Sequence, residues 1–407
     1  MQDSATTRVF VPETVATNGG TRHILGFVYF TFICYLSIGL PLAVLPTYVH
    51  YRMGYSAAMA GLVISIQYIA TLASRPWAGR ISDRAGAKVS VLWGMGACTV
   101  SGALLVAAAA LYTIPWLCLT TLIASRLVLG VGESLGSTGS TLWGITSAGP
   151  EHTAKVISFN GISTYGAMAL GAPLGVVLSG LWGNPQWGLA SIGMVTVLIG
   201  AASLAIADRK SPVHVTAGEH LPFSHVLGQV APHGMGLALG GVGYSVLATF
   251  ITLFYASRHW DGAALCLTAF GVAFIAARLL FIRTIDRFGG FPVGIVCLAV
   301  ESVGMILLWQ ASAPWMAFLG AAFAGFGFSL VFPAIGVEAV KRVSESNRGT
   351  ALGVYTAFAD VSFFLTGPLA GAVIGVYGYA SAFLFGLVSV LAALGIVIVL
   401  WQVQARE

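Results

Sequence analysis

The sequence predicts an all-α membrane protein, with twelve transmembrane helices arranged as two six-helix pseudo-symmetric bundles. Three observations carry this. The 407 residues are 57% hydrophobic and 8% charged, whereas soluble domains carry about a quarter charged residues. Ionised residues are missing over bilayer lengths: none lies between Lys88 and Arg126 or between Lys155 and Asp208, and Asp360 is the one charge from Gly349 to Ala405. A span needs about 20 apolar residues, and runs this continuous exclude outer-membrane strands, which alternate apolar and polar over about 10 residues. Finally, a charged motif occurs twice. Ala73, Arg75, Arg80, Asp83, Arg84 and Gly86 recur in register as Ala276, Arg278, Arg283, Asp286, Arg287 and Gly289. Two copies of one unit place the function between them.

Taken in order, residues 1–22 are polar and read as a cytoplasmic tail, because they lack the apolar core of a cleavable signal. Hydropathy and turn residues give a first bundle over 23–207, with spans near 24–49, 57–79, 89–112, 116–144, 156–181 and 187–207. Residues 208–227 hold Pro212, Gly218 and Pro222 and read as the linker between halves. A second bundle over 228–403 follows, with spans near 228–256, 263–283, 292–311, 315–340, 350–376 and 380–402, then a short tail over 404–407. The repeat extends into these spans: Gly130, Gly132 and Ser134 match Gly325, Gly327 and Ser329, and Pro173 matches Pro368 at the same offset. Six spans per half give both copies the same orientation.

Basic residues favour the cytoplasmic side of a membrane. With both termini cytoplasmic, only Arg52 and Arg258 of the 19 Lys and Arg fall on the outer side, and Arg75, Arg126 and Arg278 lie within spans. Cys34, Cys98, Cys118, Cys266 and Cys297 sit in apolar segments without metal or disulfide spacing. His214, His220, His225 and His233 also lack ligand spacing. No metal and no cofactor is expected. The net charge of +5 comes from loop residues and implies no nucleic-acid partner.

Within these segments, Gly79-Arg-Ile-Ser-Asp83-Arg84-Ala-Gly86-Ala-Lys88 resembles the signature between the second and third helices of the major facilitator superfamily, and Arg126-Leu-Val-Leu-Gly130-Val-Gly132 resembles its fourth-helix arginine motif. Length, span number and central linker agree with that family. The resemblance to its bacterial drug and sugar efflux branch implies a proton relay through Arg126. It also implies a cytoplasmic gate in which Asp83 reaches the start of the eleventh span near Asn347–Thr350. Gly171, Pro173 and Gly175 on the fifth span are similar to the helix-bend motif of efflux antiporters, with Ala172 in place of a glycine. Gly367 and Pro368 on the eleventh span fit its shape better, in the other half.

Charges inside a membrane are expensive and face a polar interior, so the buried ones are the candidates. Arg126 and Glu133 lie seven residues apart on one face of the fourth span, and the second half has Ala321 and Phe328 there. They read as a proton-coupling pair, with a structural ion pair, or Arg126 gripping an anionic substrate, as the alternatives. Asp360 has no cation near it in sequence and reads as an unpaired, protonatable carboxyl. Glu301 is mid-span on the ninth helix and ranks lower. Glu338 lies beside Lys341 and Arg342 and reads as a gate salt bridge, with Gly79, Arg84, Gly86, Lys88, Asp286 and Arg287 completing the gate set. Arg75 and Arg278 either snorkel to headgroups or line the cavity. Tyr35, Gln67, Trp143, Asn160, Tyr165, Tyr244 and Tyr355 are the candidate substrate contacts.

The expectation is a secondary active transporter of the bacterial inner membrane, a monomer in lipid that exports a small organic molecule in exchange for protons. The alternatives are a proton-linked importer of a sugar or organic acid, and a lipid flippase of the same fold. No phosphate-cradling loop is present, so ATP drive is not expected. Neither a nucleophile–base pair nor a metal cluster marks an enzyme.

Overall fold

The computed structural model describes residues 20–149, 152–212, 223–281, 283–343 and 348–404. Twelve of its helices are long and apolar enough to cross a membrane. In the first half these are α1 (Thr21–Leu42), α2 (Ala57–Arg84), α3 (Ala87–Ala110), α4 (Pro115–Ala148), α5 (Thr153–Gly180) and α6 (Pro185–Arg209). In the second half they are α7 (Phe223–Ser257), α8 (Ala263–Phe281), α9 (Gly290–Trp309), α10 (Pro314–Lys341), α11 (Arg348–Tyr377) and α12 (Ser381–Gln404). Around the predicted linker, α6 runs on to Arg209 and α7 starts at Phe223.

Local chemistry explains the ends. Pro115, Pro185 and Pro314 open their helices, where the missing N–H costs nothing. Ser56 caps α2 by accepting from the Met59 N–H at 3.2 Å. Pro41 ends the regular part of α1, because its ring clashes with the preceding turn, and the chain continues through a wide π-helical turn at Tyr48–Arg52. Gly86 and Gly289 precede α3 and α9 with φ of +94° and +86°. Side chains are strained in that region, which is why glycine stands at both copies of the motif.

Each half closes on itself through α3 against α4 and α6, and α9 against α10 and α12. The halves meet along two seams, α2 against α11 and α5 against α8. Gly61 and Gly367 bring α2 and α11 backbone to backbone, and a Cβ on either would collide with the other's carbonyl oxygen. Outward faces are apolar. Trp116, Trp182, Trp187 and Trp315 are exposed near helix ends, the usual place for interfacial aromatics.

Pro173 and Pro368 lie inside α5 and α11 without ending either helix. The glycines expected to form a bend permit close approach between helices. Gly171 meets the backbone of Gly39 and Leu40 on α1, and Gly175 meets the Leu40 carbonyl.

Candidate functional site

A cavity of about 590 Å³ lies between the halves. Its walls come from the ends of the helices nearest Thr21 and Gln404, here the termini side. They run from Lys341 and Val340 at the mouth to Tyr35, Tyr68, Tyr244 and Phe363 at mid-depth. The opposite, far side is shut. The Gly61–Gly367 contact closes the seam, and Tyr379 and His50 hydrogen-bond across the halves at 2.7 Å. His50 Nδ1 donates to the Tyr55 carbonyl at 2.7 Å, which leaves Nε2 to accept from the Tyr379 hydroxyl. Burial first, then the Tyr51 hydroxyl, push the Tyr379 phenol up from its ordinary value, so it remains a donor at neutral pH.

Two carboxylates occupy the cavity wall. Glu133 on α4 is buried and accepts from Tyr35 of α1 at 3.1 Å, Thr71 of α2 at 3.2 Å and, more weakly, Gln67 of α2 at 3.4 Å. Asp360 on α11 receives Arg75 of α2 through both oxygens, Nε to Oδ2 and Nη2 to Oδ1 at 3.0 Å. This pair crosses from one half to the other. Asp360 is therefore not unpaired, contrary to the expectation from sequence, and Arg75 does not snorkel. Their partnership is invisible in sequence because it spans the halves.

Arg126 and Glu133 form no ion pair. Two helical turns separate them by about 10.5 Å along the axis, and Glu133 takes neutral donors instead. Arg126 is fully buried, and its guanidinium nitrogens have no hydrogen-bond partner among the described residues.

Of the expected substrate contacts, Tyr35, Asn160, Tyr165 and Tyr244 line the cavity. Trp143 does not. It is fully buried between Phe27 and Phe30, with ring centroids at 5.2 and 5.9 Å. Tyr355 is also buried, donating to the Phe332 carbonyl at 3.1 Å, and Gln67 stands behind the wall on Glu133. The cavity faces of α4 and α11 are set by neighbours, and a lone aromatic carries no sign of which face it occupies.

Glu301 is buried within the second half, beside Gly243 of α7, and does not reach the cavity. Arg278 does line it. Thr31, Tyr68 and Phe274 were missed from sequence. Tyr68 lies seven residues before Arg75, on one helix face, and that spacing was the available signal.

The residues expected to form a gate lie on the termini side of the protein and do not line the cavity. Arg84, Asp286 and Arg287 are exposed, and Arg287 sits over the Phe288 ring at 5.0 Å. Gly79 is on the last turns of α2, and Gly86 makes the turn into α3. Lys88 ties α3 to α6 by donating to the Asp208 carbonyl at 2.5 Å. Glu338 accepts from Lys341 and from the Gly290 N–H, each at 2.9 Å, so it anchors the start of α9 within its own half. The side chain of Asp83, Asn347, and the side chains of residues 348–350 lie outside what the structure describes.

A family model of the Major Facilitator Superfamily matches residues 27–265 and 234–407. The chain belongs to the major facilitator superfamily. Within this superfamily of transporters, an uncharacterized MFS-type transporter of Pseudomonas aeruginosa (strain UCBPP-PA14) is 55% identical over 386 residues, covering 95% of each chain. Another, from Burkholderia pseudomallei (strain 1106a), is 52% identical over 396 residues, covering 97% of this chain and 96% of the relative. The fold is similar to that of a D-xylose–proton symporter crystal structure, with a TM-score of 0.72 at 17% identity, covering 92% of this chain and 97% of that one. The superfamily fold accounts for the duplicated six-helix unit and the central cavity.

Proposed function

We propose that this transporter exports a small organic molecule in exchange for protons by alternating access, from the cytoplasm across a bacterial inner membrane with both termini inside. On that orientation the cavity faces the cytoplasm. The observation that carries the reading is the Arg75–Asp360 pair, an ionic fastening between the halves at the inner end of a one-sided cavity. A proton on Asp360 removes the charge that holds Arg75 and loosens α2 from α11, so protonation and rearrangement are linked through one contact. Glu133 lines the same space and is held ready by three donors. A proton reaching Glu133 from the cavity displaces none of the packing around it. The mostly apolar, aromatic wall suits an amphipathic organic solute, and about 590 Å³ lies in the range of small-molecule sites.

Inverted membrane vesicles energised to an acid interior test this. Addition of aromatic carboxylates, aromatic amines or sugars is followed with a pH-sensitive dye, and a substrate of an antiporter dissipates the gradient. Glu133→Gln and Asp360→Asn are expected to abolish that dissipation at unchanged protein levels. Normal coupling in both variants would remove the carboxylates from the mechanism.

A further inference from the structure

The two halves repeat each other, so each cavity charge has a counterpart across the pseudo-two-fold axis. Arg75 corresponds to Arg278 through the duplicated motif. Asp360 corresponds to Tyr165 in the register that superposes Pro368 on Pro173. One seam, α2 with α11, therefore carries a cation and its carboxylate. The equivalent seam, α8 with α5, carries the cation and a phenol. Arg278 and Tyr165 line the same cavity as Arg75 and Asp360.

Arg278 is placed as a buried charge awaiting a partner. It is 6% exposed. Nη2 donates to the Ser329 carbonyl at 2.6 Å, Nε has no partner among the described residues, and the Phe274 ring lies 5.0 Å from the guanidinium carbon. Gly161 on α5 leaves the room, since a Cβ there would collide with Nη1. No carboxylate of the described residues is within ion-pair distance of it. The other charges of the cavity are committed: Asp360 to Arg75, Lys341 to Glu338, and Glu133 to its three donors. A buried cation without an anion is strongly disfavoured, and a guanidinium with spare donors matches a carboxylate. Around it the wall is aromatic. Tyr165 and Phe274 have ring centroids 3.9 Å apart, and Tyr244 stacks with Phe328 at 6.0 Å.

We propose that Arg278 receives the carboxylate of the transported molecule, whose aromatic or apolar body lies against Tyr165, Tyr244, Phe274 and Phe328. The substrate class is an amphipathic organic carboxylate, and the substrate supplies the charge that Asp360 supplies in the other seam. This inference rests on the cavity being the transport path.

The test is binding, read separately from transport. The melting temperature of the purified full-length protein in detergent is followed against aryl-alkyl carboxylates from benzoate to 4-phenylbutyrate, and against the matched amines and amides. At least one carboxylate is expected to give a saturable rise that its amine and amide do not. Arg278→Gln is expected to weaken that response about tenfold or more, with partial rescue by Arg278→Lys. Tyr165→Asp installs the missing carboxylate in the protein itself. It is expected to abolish the response, whereas Tyr165→Asn, which installs no charge, weakens it without removing the preference for carboxylates, and this pair decides the matter if Arg278→Gln does not fold. The proposal is overturned if no carboxylate responds, if amines respond as well, or if selectivity survives in Tyr165→Asp. Loss of proton flux with carboxylate binding intact would count against the antiport reading alone.

Discussion

Breaking the ionic fastening between α2 and α11 has consequences that can be worked from its geometry. Arg75 donates twice to Asp360, and the side chains are 25% and 5% exposed respectively. A hydrogen bond to a charged group contributes about 1.5–3 kcal/mol. Water reaching the quarter-exposed guanidinium reduces the net value, so a coupling energy of about 1–3 kcal/mol is expected. Asp360→Asn strands the cation and Arg75→Gln strands the more buried carboxylate. The second is the costlier, and each single variant is expected to lose about 2–3 kcal/mol. The unfolding entropy grows with chain length, so at 407 residues the conversion is about 1–2 °C per kcal/mol, and the melting temperature should fall by roughly 2–6 °C. The double variant leaves no unpaired charge, so it should lose clearly less than the two singles together. The assay is a double-mutant cycle on purified protein, with the exchange of Arg75→Asp and Asp360→Arg as a further check. Additivity within about 0.5 kcal/mol would show that the two groups are not energetically joined, and the fastening would then have no part in coupling the halves.

Further outcomes follow from other contacts. Gly61→Val forces α2 away from α11 on the far side, and disulfide cross-linking between His50→Cys and Tyr379→Cys is expected to fall severalfold in that background. Tyr379→Phe removes the hydrogen bond to His50, worth about 0.5–1.5 kcal/mol. It should raise alkylation of a cysteine introduced at Ser65, in the closed seam, by roughly two- to tenfold. Glu338→Ala leaves the first N–H of α9 and Lys341 without their acceptor, and is expected to lower the melting temperature by several degrees while proton flux persists.

The fold was readable from residues 73–86 and 276–289 and from the long uncharged runs, because spanning a bilayer is a local requirement. Every backbone group must be paired within its own helix, so apolar length alone announces a span. The turn glycines Gly86 and Gly289 were readable for the same reason, since the demand for positive φ sits on one residue. Cavity membership was readable only in part. Tyr35, Asn160, Tyr165 and Tyr244 reach the cavity, whereas Trp143 and Tyr355 point into helix contacts that no spacing rule distinguishes.

What only the tertiary structure decided is which charge answers which. Arg126 and Glu133 share a helix face yet do not meet, while Arg75 and Asp360, 285 residues apart, are joined because the duplicated halves lay α2 along α11. Ion pairs depend on separation in space to within a few ångströms, and hydropathy carries no such information across a central linker. The same arrangement leaves Arg278 without a carboxylate among the described residues, a vacancy that appears once the second half is laid over the first in three dimensions.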